Sequence, residues 1–129
     1  MAERITPCPR SPNCVSTLAE EESSHRMEPW PLEVSPQRAL ELLVEILSRR
    51  PRTDVVERDA SAPRPYLHAT ERSAIFRFTD DLEIEIDPEA REVHFRSASR
   101  LGWSDLGVNR RRMEKIGAEF LARQRDETA

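Results

Sequence analysis

The first regular pattern of apolar residues along this chain has the spacing of a helix. Between positions 39 and 47 they fall three and four residues apart, which is the period of a helix with one buried face, at Ala39, Leu40, Leu43, Val44, Ile46 and Leu47. Ser35 suits the N-cap and Pro36 the first helical position, where the N–H that proline lacks would have no partner. Since Pro51 cannot continue a helix, the pattern predicts a helix from 36 to about 50.

After this helix the spacing changes to strict alternation. Leu82, Ile84 and Ile86 alternate with the acidic residues Asp81, Glu83, Glu85 and Asp87. This pattern is typical of a half-buried strand, and we expect the acidic face to be solvated. Carboxylates two residues apart on a strand are too far apart to chelate a cation alone, so no metal site is predicted. Further strands are expected at 53–58, 66–70, 74–79 and 91–97.

A tight turn is predicted at Asp87-Pro88-Glu89-Ala90, because Asp and Pro occupy their favoured turn positions. A two-residue loop keeps the apolar residues of both strands on one face. It places four pairs of residues opposite each other: Leu82 with Phe95, Ile84 with Val93, Asp81 with Arg96, and Glu83 with His94.

A second helix closes the chain, with an apolar stripe of Met113, Ile116, Phe120 and Leu121 and with Ser104 or Asn109 as its cap. The fold class predicted is α+β in two layers: an antiparallel sheet of four or five strands with two helices packed on one face. Residues 1–34 contain five prolines and are predicted to form an extended N-terminal arm. A single domain is expected at 35–124, followed by a disordered tail at 125–129.

The composition excludes several classes of function. The 129 residues include 20 basic and 24 acidic side chains, with a net charge of −4, so there is no overall positive field for nucleic acid. No apolar run reaches the roughly 18 residues of a membrane span, and the first residues lack the apolar core of a signal peptide. We therefore expect a cytoplasmic monomer. The sequence holds no Walker loop, nucleophile elbow or dinucleotide fingerprint, and no cofactor is predicted.

Positive charge is concentrated in the segment 96–112, which has five arginines, one acid and two of the three glycines. If the last helix begins at Asn109, three arginines occupy its first turn, where the helix dipole disfavours cations. Either carboxylates pair with them or an anion binds the exposed N–H groups; a helix that begins at Ser104 removes the conflict. The predicted ligand-binding residues are Arg96, Ser97, Ser99, Arg100, Asn109 and Arg110.

Asp80 interrupts the alternation of the preceding strand. In a continuous strand it faces the core, where an unpaired carboxylate is costly. Either the strand bulges there, or Asp80 meets an arginine, with Arg96 and Arg100 as the natural partners. A structural anchor is favoured over a general base, since ion-pair networks commonly resemble active sites.

Three hypotheses about function follow. The first is a non-enzymatic binding or accessory module that recognises a small anionic ligand or an acidic protein surface. The second is a small enzyme that acts on an anionic substrate, with Asp80 as general base. In the third, the arginine-rich segment is purely architectural and locks the last helix to the sheet.

Cys8 and Cys14 are separated by five residues, two of them prolines. In an oxidising compartment they would close a small disulfide loop worth about 2.4 kcal/mol, whereas in the cytosol they should be reduced. Together with His25 they are too few for a structural zinc site. The spacing also differs from the redox CxxC motif. Disulfide or structural thiols are favoured, then redox sensing, then metal binding.

Three segments resemble the domain of unknown function 1499 family: CPRSPNCVST near the N-terminus, FRFTDDLEIEID, and RSASRLGWSDLGVNRRR. His25 and Pro29 also fall where that family tends to carry a His and a Pro. The resemblance covers roughly residues 7 to 120. It implies relatedness to bacterial or plastid proteins, often exported or membrane-linked, but no activity, because the family has none established.

Overall fold

The computed structural model describes residues 4–74, 78–102 and 105–129. Within these ranges the chain forms six strands and two helices: β1 (Cys14–Ser16), β2 (Trp30–Pro31), α1 (Pro36–Ser48), β3 (Thr53–Asp59), β4 (Tyr66–Arg72), β5 (Thr79–Asp87), β6 (Glu92–Ser99) and α2 (Val108–Thr128). The antiparallel sheet has the order β1-β6-β5-β4-β3, and β2 also pairs with β6. The α+β prediction is confirmed, with slightly more strands than expected.

Helix α1 begins and ends as its sequence predicts. The Ser35 hydroxyl accepts a hydrogen bond from the N–H of Arg38 at 3.1 Å, and Pro36 is the first helical residue. The buried side of the helix includes Leu40, Leu43 and Leu47. These side chains join one core with the apolar faces of β4, β5 and β6. The first helix and its packing face are therefore confirmed.

Helix α2 covers the other half of the same sheet face. Trp30 of β2 stacks on Phe95 with ring centroids 4.3 Å apart, and it also meets Phe120 of α2 at 5.8 Å. The indole fits because α2 has a glycine there: a Cβ on Gly117 would lie 2.7 Å from Trp30 Cε2. The short strand β2 is thus held against the core by close contact with the helix.

The β5–β6 hairpin has a different register from the predicted one. Residues 88–91 form a four-residue loop instead of a two-residue loop. The Asp87 carboxylate accepts the N–H groups of Glu89 and Ala90, both at 3.1 Å, and Arg91 has a φ of 58°. The register therefore shifts by two residues and leaves every side chain on its predicted face. The true partners are Ser97 for Leu82, Phe95 for Ile84, Ala98 for Asp81 and Arg96 for Glu83, so the four predicted pairs are wrong.

Both ends of the chain contain regular secondary structure. Part of the N-terminal arm joins the sheet as β1 and β2, which pair with β6. At the other end, α2 continues to Thr128, whereas a disordered tail is predicted from 125. Most of the strand predicted for 74–79 lies outside the described ranges, which omit residues 75–77. On either side of that gap, Ser73 and Phe78 share two hydrogen bonds of 2.9 and 3.0 Å, and β5 begins at Thr79.

Candidate functional site

Arg112, the fifth residue of α2, lies at the centre of a buried polar cluster. Its side chain is buried, with 4% of the residue exposed. The guanidinium donates to the Glu71 carboxylate at 2.9 Å and to the Asp80 carboxylate at 2.6 Å. It also donates to Ser97 Oγ at 3.0 Å and to Asn109 Oδ1 at 2.7 Å. We refer to these five residues as the Arg112 network.

The network forms where three neighbouring strands end on the helix-covered face. Glu71 of β4 lies opposite Asp80 of β5, and two adjacent carboxylates need a shared cation when water is excluded. Arg112 supplies it, and Arg50 adds a second contact to Glu71 at 3.0 Å. Burial alone would raise the pKa of Glu71, but the two guanidinium groups outweigh it and hold this pKa below its ordinary value.

The partner predicted for Asp80 is wrong. Asp80 is paired with Arg112 rather than with Arg96 or Arg100, and it stays in register opposite Ser99 without a bulge. The ion pair satisfies the inward carboxylate, as expected of a structural anchor. Arg112 lies 32 residues after Asp80 in the sequence, so only the docking of α2 on the sheet brings the two together.

The three predicted arginines point to different parts of the surface. Arg96 lies on the opposite sheet face, 3.6 Å from the Glu83 carboxylate. Arg100 is exposed and donates two hydrogen bonds to Asp81, at 2.7 and 2.9 Å. These bonds, with a smaller contribution from His68, hold the pKa of Asp81 below its ordinary value.

Arg110 donates instead to the main-chain carbonyls of Ser24 and Arg26, at 2.8 and 3.3 Å. Of the six predicted ligand-binding residues, three lie in or beside the Arg112 network and converge there: Ser97, Ser99 and Asn109. The structure therefore does not bring the six together around one pocket.

The N-terminus of α2 is capped by the chain itself. The Asp105 carboxylate accepts the N–H groups of Gly107 and Asn109, at 2.8 and 3.1 Å, and the Asn109 side-chain amide at 2.5 Å. Burial would raise the pKa of Asp105, but these hydrogen bonds lower it below its ordinary value. A protein carboxylate thus occupies the place where an anion would bind. The helix begins at Val108, one residue before the predicted Asn109, and Ser104 lies outside the described residues.

The acidic face of β5 is covered, in contrast to the solvated face predicted. Only 8% of Glu83 and 1% of Glu85 is exposed. Residues 4–8, which we call the N-terminal strap, cross this face: the N–H groups of Thr6 and Arg4 donate to Glu83 and Glu85 at 3.2 and 3.1 Å. The Tyr66 hydroxyl donates to Glu83 at 2.7 Å; burial and this hydrogen bond raise the pKa of Tyr66.

His94 is likewise not paired with Glu83. Its Nδ1 lies 2.9 Å from Thr17 Oγ1, and its Nε2 lies 3.4 Å from Glu92. The cross-strand partner of His94 is Glu85, which follows from the two-residue shift in register.

An apolar cleft opens beside the Arg112 network, where β6 leads into α2. It has a volume of about 270 Å³. Its walls include Phe78, Leu101, Leu106 and Val108, which are between 41% and 84% exposed. Polar atoms of the lining come from Ser73, Asp80, Ser99 and Asp105. Sequence reasoning missed this cleft, although two exposed leucines, each next to a glycine in a polar segment, were a usable signal.

A disulfide joins Cys8 to Cys14, with their Cα atoms 5.8 Å apart. The residue before Cys14 connects the disulfide loop to the cleft. Asn13 is buried, and its side-chain amide donates to the Gly102 carbonyl at 2.8 Å. Its own carbonyl accepts the Asn109 side-chain amide at 3.2 Å and the Ser99 N–H at 3.0 Å.

Comparison with known proteins identifies a family. A family model described as Protein of unknown function (DUF1499) matches residues 4–120, which confirms the resemblance carried by the three segments. No curated protein and no solved structure matches the chain. In the part of the chain that the structure describes, neither helix is long and apolar enough to cross a bilayer.

Proposed function

The chain belongs to the DUF1499 family, whose description names no activity, and from its own geometry we propose a non-enzymatic binding module. The apolar cleft takes an aliphatic or aromatic side chain from a partner protein. A volume of about 270 Å³ lies just below the roughly 300–1,000 Å³ of ordinary ligand pockets. This size suits one anchoring side chain better than a nucleotide or another large cofactor.

The observation that carries the proposal is the clustering of exposed apolar side chains. Among the described residues six large apolar side chains are exposed, and four of them line this one cleft: Phe78, Leu101, Leu106 and Val108. Single exposed apolar residues are normal, but a contiguous group marks an interaction surface.

The charge at the cleft favours a cationic group beside the anchor. Asp80 is neutralised by Arg112, whereas Asp105 accepts hydrogen bonds from the neutral groups of Gly107 and Asn109. Asp105 thus keeps its negative charge at the rim. We therefore infer that the partner presents an apolar side chain next to a lysine or arginine.

Recognition of an anionic group remains a separate hypothesis with weaker support. Arg96, Arg100 and Arg110 are each engaged by protein carboxylates or carbonyls. The Nε of Arg96 has no hydrogen-bond partner among the described residues, but it is itself buried. The Arg112 network fits an architectural role, because the guanidinium is surrounded by protein acceptors.

The enzyme hypothesis keeps one supporting observation, which is that Asp80 lines the cleft. Its Oδ2 is held 2.6 Å from Arg112, and a carboxylate fixed in this way serves better as an anchor than as a proton acceptor. The binding module is therefore the function we favour.

A series of small probes that are similar in size but differ in charge tests the proposal. We expect 2-phenylethylamine to shift the amide NMR signals around Leu101 and Val108 more than 2-phenylethanol, and phenylacetate least. Leu101→Ser should abolish these shifts, whereas Val56→Ser, at an exposed site on β3, should retain them. Equal shifts in both variants would place the binding elsewhere. Thermal stabilisation by inorganic phosphate that is lost in Arg100→Gln would favour the anionic hypothesis instead.

A further inference from the structure

We propose that the Cys8–Cys14 disulfide is a redox switch that controls the shape of the apolar cleft through Asn13. The biological consequence rests on the proposed function of the cleft, whereas the structural coupling does not. Asn13 belongs to the loop that the disulfide closes, and its hydrogen bonds reach Ser99, Gly102 and Asn109. Two of these residues, Ser99 and Gly102, line the cleft.

The disulfide is open to a thiol from one side. Cys8 is half-buried and lines a cavity of about 450 Å³ between the N-terminal strap and residues 16–25. Cys14 is 1% exposed. An incoming thiolate therefore attacks Cys8 Sγ, since thiol–disulfide exchange requires access to the sulfur that is attacked.

The reaction balances with a thiol reductant of the glutathione or dithiol class. The first thiolate forms a mixed disulfide with Cys8, the Cys8–Cys14 bond breaks, and the electron pair leaves on Cys14. A second thiol then displaces Cys8, so that two reductant thiols are oxidised to one disulfide and both cysteines end as thiols.

The surroundings of Cys14 favour its departure as a thiolate. Cys14 lines a second, smaller cleft together with His25 and Arg110. Arg110 donates to the neutral carbonyl groups of Ser24 and Arg26, so its positive charge is available to stabilise a neighbouring thiolate. Asp105 lines the same cleft, and its negative charge offsets part of this stabilisation.

Opening the disulfide changes what holds the cleft wall. In the oxidised protein the short closed loop restricts Asn13 to the position in which it bridges Ser99 and Gly102. Reduction restores conformational freedom to residues 9–13. The bridge is then made less often, and the segment 99–102 loses a support that comes from the other end of the chain.

Amide hydrogen exchange on the full chain, with and without dithiothreitol, tests the switch. The Ser99 N–H bonds to the Asn13 carbonyl, and loss of one such bond predicts exchange about five- to tenfold faster at Ser99 after reduction. The amide of Leu67, in β4 on the far side of the sheet, is the reference and should not change. A disulfide that resists dithiothreitol in the folded protein, or Ser99 exchange that is equal in both redox states, would overturn the proposal.

Two variants separate the coupling from general loosening. Cys8→Ser with Cys14→Ser should reproduce the reduced protein without reductant; if it fails to fold, the wild-type comparison decides. Asn13→Ser keeps the disulfide but removes the side-chain bridge to Gly102. In this variant the amide NMR signal of Gly102 should be the same in both redox states. A Gly102 signal that still responds to reduction in Asn13→Ser would show that the coupling does not pass through the Asn13 side chain.

Binding of 2-phenylethylamine is measured separately in the two redox states, and weaker binding after reduction is expected. If the amine binds in neither state, the proposed function is wrong, while the exchange rates still decide the switch. If it binds equally in both states and Ser99 exchange is unchanged, the switch is wrong and the proposed function stands.

Discussion

Replacing Arg112 by methionine should be the most destabilising single change in the Arg112 network. The substitution keeps an unbranched side chain of similar length but removes donors to four acceptors. It leaves Asp80, 6% exposed, without its cation. Breaking a buried ion pair by removing one partner costs about 3–5 kcal/mol, because the remaining charge is buried and unpaired. We expect Arg112→Met to lose this amount of unfolding free energy at pH 7.

The measurement is urea unfolding followed by circular dichroism, with linear extrapolation to water. Arg111→Met is the matched control. It removes the same charge from the preceding position of the helix, where the side chain is exposed and donates a hydrogen bond to the Leu106 carbonyl. Surface changes of this kind stay within about 0.5 kcal/mol.

The pH dependence gives a second check on the same variant. Glu71 has a lowered pKa in the folded protein, so its contribution to stability is present above the unfolded pKa and is lost as the pH falls through the folded value. Arg112→Met removes part of that contribution, and its deficit should therefore shrink on acidification. A cost below about 1 kcal/mol, or one equal to that of Arg111→Met, would refute the view that this ion pair anchors α2 to the sheet.

Three further outcomes are expected. Gly117→Ala should raise intrinsic helix propensity yet lower the thermal midpoint, since the new Cβ meets the Trp30 ring and overpacking costs about 1–3 kcal/mol; an unchanged or higher midpoint would contradict the contact. Tyr66, the only tyrosine, should titrate by ultraviolet absorbance above its ordinary pKa, and titration near pH 10 would contradict burial. Its contribution to stability is present below the unfolded pKa and is lost as the pH rises through the folded pKa. Arg100→Gln should raise the NMR-measured pKa of Asp81 towards its ordinary value, and no change would mean that the pair does not form in solution.

The sequence was sufficient where structure depends on neighbouring residues. The cap of α1 at Ser35, the stop before Pro51 and the face of each β5 residue follow from local spacing and from the backbone limits of proline. The face assignment also survived the wrong loop length, because a shift of two residues preserves the alternation.

Apart from the length of the β5–β6 loop, the errors arose where distant parts of the chain meet. Nothing near Glu83 and Glu85 in sequence indicates that residues about eighty positions earlier donate main-chain N–H groups to them. A polar strand face that is covered by another segment shows the same alternation of apolar and polar residues in the sequence as a face that is exposed to water. For the same reason Asp80 was assigned to the arginines nearest in sequence, whereas the docking of α2 brings Arg112 to it.

The candidate site was predicted in part. Its location at the junction of β6 and α2 follows from the unusual composition of residues 96–112, and Ser97, Ser99 and Asn109 do converge there. The charge of the ligand that the site prefers could not be predicted from the sequence. The number of arginines does not show how many of them are already paired with protein groups. Pairing depends on the fold, and the exposed surface that remains is apolar.

The pairing of β1 and β2 with β6 has a consequence for synthesis on the ribosome. The arm emerges before its partner strand, which begins only at Glu92. During that interval Cys8 and Cys14 lie in a segment whose tertiary partners do not yet exist, while the two thiols are close enough in sequence to pair locally. The meander from β3 to β6 involves short loops and can assemble as soon as it has left the exit tunnel. We therefore expect the arm, although it is made before the rest of the sheet, to join last, by folding back over strands that already exist.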